Sequence, residues 1–101
     1  MAPKIKMKAI LHKEFGGPEV LGVTNDVEIP QIEKHEVLIQ VHAAGINRPD
    51  ILQRSGGYPP PPGASEILGL EVSGEIVDVG EDVDKNLLNT KVCALVPGGG
   101  Y

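Results

Sequence analysis

Aromatic side chains are nearly missing from this 101-residue chain, which has one phenylalanine, two tyrosines and no tryptophan. Any core must therefore be filled by Val, Ile and Leu, and with hydrophobic residues at 41% there are enough for one domain of modest core. Cysteine is equally scarce. The single Cys93 excludes an internal disulfide framework and a cysteine-rich zinc site, and it fits a reducing compartment. Positive charge is in deficit, with nine Lys and Arg against fourteen Asp and Glu and a formal net charge of −5. A net anion is not drawn to nucleic acid or to an anionic membrane surface, so neither is expected as a partner. No apolar run approaches ~20 residues, so no transmembrane helix is expected. Met1–Met7 carries lysines without an apolar stretch behind them, which does not read as a secretory signal.

What the chain has in quantity is punctuation. Thirteen glycines and nine prolines favour a turn-rich β protein over a helical bundle. Ile5, Met7, Ala9 and Leu11 alternate with Lys4, Lys6, Lys8 and His12, the period of a half-buried strand. Phe15-Gly-Gly-Pro18 is a turn. Leu21, Val23, Val27 and Ile29 share one parity and predict a second extended segment, bulged near Asn25-Asp26. Val37–Ala43 is the strongest strand, with Val37, Ile39 and Val41 on one face. Glu71–Val79 is a further strand, with Gly74 as a bulge or a point of close approach. Gly80–Lys85 is a charged turn, and Lys91–Val96 is a short strand apolar on both faces, hence buried. Five or six strands with long loops suggest a small barrel or sandwich.

The stretch from Asn47 to Gly74 interrupts this pattern. Arg48–Arg54 predicts a two-turn helix with Pro49 in its first turn, stopped by Ser55-Gly56-Gly57. Tyr58 follows, then Pro59–Pro62 as a stiff extended segment. A long irregular insert between strands is uncommon and often functional.

Gly45-Ile-Asn47, Arg48-Pro-Asp50, Arg54-Ser-Gly-Gly-Tyr58, Pro60–Ser65, Leu68-Gly-Leu-Glu71, Gly74 and Val96–Gly100 occur in an order that resembles the medium-chain dehydrogenase/reductase superfamily. Within it the chain is most similar to the zinc-independent quinone oxidoreductases, in their tumour-suppressor-inducible, zeta-crystallin-like branch. The resemblance runs from about Met7 onward. It implies a mainly β fold, a GroES-like, partly open β-barrel with one short helix. It also implies that residues 1–101 are the N-terminal part of a catalytic domain whose NADPH-binding Rossmann domain lies elsewhere. Gly98-Gly-Gly100 is not G-x-G-x-x-G, and no helix or ribose-binding acid follows it.

The resemblance implies NADPH as cofactor, a quinone or similar conjugated carbonyl as substrate, a cytoplasmic homodimer as the intact enzyme, and no metal. Zinc-dependent relatives carry cysteine at Asn47 and Gly-His-Glu at Gly69-Leu70-Glu71, and neither Asn47 nor Leu70 supplies the thiolate or imidazole that zinc needs. His12, His35 and His42 read as solvated surface residues. Asn47 and Tyr58 are the residues that the resemblance places against the nicotinamide, and Asn47, Leu52 and Tyr58 line the implied substrate pocket; no residue is assigned as catalytic. Each has a plainer reading beside it. Asn47 with Asp50 makes a helix cap, and Tyr58 is a loop aromatic on prolines. Leu52 stands where some relatives have a second tyrosine. Arg48 and Arg54 are helix-surface charges or phosphate contacts. Glu71 is a buried acid paired with one of these arginines, or a strand-edge carboxylate facing water. Cys93 reads as an inert core residue. Two other functions stay open at this point: reduction of an enoyl or alkenal double bond with the same cofactor, and a non-catalytic GroES-like binding module of the co-chaperonin kind.

Overall fold

A computed structural model describes residues 6–101. Ile5, expected in the first strand, lies outside the described residues. Strand β1 (Lys6–His12) pairs antiparallel with β2 (Leu21–Glu28) across a loop that ends in a 3₁₀ turn at Pro18–Val20. A second sheet holds β3 (Val37–Ala44), β4 (Glu71–Val79) and β5 (Lys91–Leu95), all antiparallel in the order β3-β4-β5. Helix α1 (Arg48–Ser55) sits in the connection between β3 and β4. The expected mainly β architecture with one short helix holds, built as two open sheets rather than a closed barrel.

Two irregularities fall where the sequence places them, and a third, which leaves Val77 as an extra residue on β4 between Leu38–Asp78 and Ile39–Ile76, does not. Met7 faces Val27 and Ala9 faces Thr24, so Asn25 and Asp26 together oppose Lys8 in a bulge. On the second sheet Val41 faces Gly74 and Ala43 faces Ser73, which leaves His42 as an extra residue on β3. A side chain at Gly74 would collide with the Gln40 carbonyl, so the bulged strand comes close only because this position is bare. The alternation on β3 fails beside this bulge: Val37 and Ile39 are half-buried, but Val41 is exposed.

The buried apolar core is Ala9, Leu68, Val72 and Ile76. Ala9 comes from one sheet, Val72 and Ile76 from the other, and Leu68 from the insert, so the insert is part of what holds the sheets together.

The last strand departs from expectation. Strand β5 ends at Leu95 and is not buried: Lys91, Cys93 and Leu95 are exposed, Leu95 at 87%, while Val92 and Ala94 are half-buried. Cys93 is therefore a surface thiol rather than a core residue. The cause is position. Among the described residues β5 is an edge strand with one neighbour, and nothing packs on its outer face. An apolar run alone does not separate an edge strand from a central one.

Candidate functional site at the two ends of the helix

Helix α1 forms because its ends are well specified. Asn47 takes the N-cap in extended conformation, Pro49 occupies the first turn, and Gly56 closes the helix in the left-handed region at φ 93°. Ser55, expected in the stop signal, belongs to the last turn. Eight residues at ~1.5 Å each set the two ends roughly 12 Å apart.

The N-terminal end centres on a buried carboxylate. Asp50 is 2% exposed. Its Oδ2 accepts the Asn47 backbone N–H at 3.0 Å and the Tyr101 hydroxyl at 2.5 Å, while its Oδ1 is buried with no hydrogen-bond partner. Burial, together with the bond to Asp50 and the charge of Asp50, pushes the Tyr101 phenol well above its ordinary range. The Asn47 amide Nδ2 donates to Glu71 Oε2 at 3.2 Å, and the Gly45 N–H donates to the Glu71 carbonyl at 3.3 Å. The Glu71 side chain lies across Gly45, in the space a Cβ there would need.

Glu71 is thus exposed and hydrogen-bonded to Asn47; it is not a buried acid paired with arginine. Arg54 is at the far end of α1, where its Nε donates to the Gly16 carbonyl at 3.2 Å and its own carbonyl accepts the Gly16 N–H at 3.0 Å. Arg48 is exposed. The cap turns the Asn47 amide toward the start of β4, where Glu71 can accept it.

The C-terminal end is open. Tyr58 is exposed and lines a hollow of about 260 Å³ with His12, Phe15, Gln53, Pro59 and Pro60. Phe15 is 67% exposed and lies over Gly56. Leu52 is exposed between the two ends, its carbonyl accepting the Gly57 N–H at 2.8 Å. A second hollow, about 530 Å³, opens beside Glu71 and Gly45 and is walled by Ala43, Val72, Cys93 and Leu95. Asn47, Leu52 and Tyr58 therefore lie before, within and after α1 and do not line one hollow. Tyr58 belongs to the first, and Asn47 reaches the second through Glu71.

His35 and His42 are exposed, and the His12 ring nitrogen Nδ1 lies 3.2 Å from the Glu14 carbonyl, which requires Nδ1 to donate. Among the described residues no three of His, Cys, Asp and Glu come together as a metal would need, and no helix is long and apolar enough to cross a membrane. The sequence pattern missed the link from Asp50 to Tyr101. Asp50 reads as a first-turn acid, and nothing local to Tyr101 points to a partner 51 positions away.

Comparison with known proteins adds a family. The model of the alcohol dehydrogenase GroES-like domain matches residues 33–99. A quinone oxidoreductase from Mus musculus is 42% identical over 96 residues, 94% of this chain and 29% of the mouse protein. The chain thus spans well under half the length of that relative. Among solved structures, the quinone oxidoreductase from Coxiella burnetii superposes with a TM-score of 0.75 at 33% identity, over 89% of this chain and 29% of that one. A mycobacterial protein solved in complex with NADPH superposes with a TM-score of 0.75 at 34% identity, over 89% of this chain and 28% of that one. With 67 consecutive positions matched on a fold of the same kind, the chain belongs to the alcohol dehydrogenase GroES-like domain family.

Proposed function

We propose that this chain is the N-terminal part of the catalytic domain of a zinc-independent, NADPH-dependent quinone reductase. The NADPH-binding Rossmann domain would lie outside these 101 residues. The observation that carries the reading is the Asn47–Glu71 pair: a neutral amide, fixed at a helix cap, beside an open hollow, at the place where zinc relatives hold a thiolate. Similarity to the mouse and Coxiella quinone oxidoreductases supports the acceptor, and the mycobacterial complex supports the cofactor.

The donor set suits the nicotinamide end of such a cofactor and not its phosphates. Asn47 and Tyr58 offer an amide and a hydroxyl from opposite ends of α1 and from two hollows, each a neutral group suited to a flat, uncharged ring. The phosphates would fall to the Rossmann domain. When bound, NADPH supplies the hydride. Asn47 would be a hydrogen-bonding contact for the ring, while Tyr58 and Leu52, which do not share its hollow here, would face the acceptor, Tyr58 as a wall that can also donate to a carbonyl and Leu52 as an apolar lining group. No proton-transfer residue is assigned. The exposed Leu95 and the hollow beside it would be covered by the rest of the enzyme. By the family resemblance of the sequence, the intact enzyme would be a metal-free cytoplasmic homodimer with no nucleic-acid or membrane partner.

The test is NADPH oxidation with a quinone acceptor, by the intact protein and by residues 1–101 alone. Turnover only in the former, undiminished by chelators, supports the reading. Turnover by the 101 residues alone would overturn the two-domain account.

A further inference from the structure

We infer that Tyr101, acting through Asp50, is a positioning residue for Asn47. The inference rests on the reading that Asn47 contacts the nicotinamide, and it adds a residue distant in sequence that decides where that contact stands.

The geometry is a short relay. The Tyr101 hydroxyl donates to Asp50 Oδ2, the same oxygen that accepts the Asn47 backbone N–H, and the Asn47 side chain then donates to Glu71. Four residues from three parts of the chain thus converge on one helix end. Asp50 itself is sealed from solvent, so water does not substitute readily for a lost partner. Its second oxygen has no partner in the described structure, which leaves Oδ2 as the atom that anchors the carboxylate.

Tyr101 is itself held from both sides. Its N–H donates to the Leu68 carbonyl at 2.9 Å, and its carbonyl accepts the Ile10 N–H of β1 at 3.2 Å. Its ring lies against Gly69, where any side chain would strike it and Gly100. Tyr101 therefore joins the first sheet to the residues leading into β4, and its hydroxyl carries that position to the start of α1. A displacement of the 98–101 segment would be felt at Asn47 through two hydrogen bonds that share Asp50 Oδ2. Asp50 alone would cap the helix; with Tyr101 it also fixes the cap against both sheets.

The experiment is Tyr101→Phe in the intact protein, which keeps the ring against Gly69 and removes only the hydroxyl. The Asn47 side-chain amide resonances should shift, their exchange with water should speed up, and kcat for quinone reduction should fall on the order of 10-fold. KM for quinone should move less than about 2-fold, because Tyr58 and Leu52, which would face the acceptor, take no part in the relay. Asp50→Asn, which keeps shape and weakens the acceptor, should give the same pattern and serves if Tyr101→Phe fails to fold. Unchanged Asn47 resonances and unchanged kcat in a folded variant would overturn the inference and leave Tyr101 a packing residue. If the Asn47 resonances move but the wild-type protein never oxidises NADPH, the positioning stands and the nicotinamide reading falls.

Discussion

The two ends of α1 are built on opposite plans. At Asn47 the helix starts over a sealed carboxylate, beside a half-buried phenol held neutral and an amide already engaged by Glu71. At Tyr58 it ends in water, where two of the chain's few aromatics stand half in solvent around a hollow. The first plan fixes a polar group in one orientation at the cost of desolvating it. The second leaves apolar area wet, which is tolerable only where little stability depends on it. The difference separates a part that positions from a part that can accommodate.

The largest effect should come from the buried end. Asp50→Ala removes the acceptor for two donors, the Asn47 N–H and the Tyr101 hydroxyl, at a position that is itself 2% exposed. Each unsatisfied buried donor costs about 1–3 kcal/mol, so the variant should lose about 3 kcal/mol or more. Urea unfolding measures this as a lower midpoint with an unchanged m-value. A loss no larger than that of a surface substitution would erase the contrast between the ends.

The sequence carries α1 well because its signals are local: cap, proline, acid and glycine all lie within ten residues. The bulge at Asn25-Asp26 and the role of Gly74 were legible for the same reason, since a break in alternation or a bare position in a strand shows in the string itself. The partner of Glu71 was not legible. Arg48 and Arg54 offer opposite charge nearby in sequence, but the cap geometry delivers the Asn47 amide to Glu71 and Arg54 to the Gly16 loop. Burial of β5 was misjudged because composition reports what a strand could bury, not whether another layer covers it. The Tyr101–Asp50 bond has no local sign at all, since it depends on how two sheets meet.

Tyr101 should give the next largest effect, and one with a pH signature. Tyr101→Phe removes a single hydrogen bond to a buried carboxylate and should cost about 1–2 kcal/mol near neutral pH. The folded phenol titrates above its unfolded value of about 10. Its contribution is therefore complete below pH ~10, and it is lost as the pH rises through the folded value, because the unfolded chain releases the proton first. Wild-type stability should fall more steeply above pH ~10 than that of Tyr101→Phe, and the two curves should converge. Parallel curves would mean that the phenol is not held neutral by the fold.

Arg54→Gln probes the joint between the wet end and the β1–β2 loop. It removes the Arg54 Nε bond to the Gly16 carbonyl but leaves the backbone bond from the Gly16 N–H in place. About 1 kcal/mol should be lost. Amide exchange should quicken at residues 14–17 and stay unchanged at Asn47 and Asp50. Faster exchange at both ends would show that the helix transmits strain along its length and that its ends are not independent.

Phe15→Ala should be the mildest of the four and the most direct test of the wet end. The ring is 67% exposed, it lies over Gly56, and it stands 6.1 Å from the His12 ring at a tilt of 39°. Most of its area is already in water, so truncation should cost no more than about 0.5 kcal/mol, within the range of ordinary surface substitutions. The unfolding midpoint should stay nearly fixed while the His12 and Tyr58 resonances move, because both residues line the hollow that the ring helps to wall. A loss above about 1.5 kcal/mol would mean that Phe15 is a structural cover for the end of α1, and that this end too is built to hold a fixed shape.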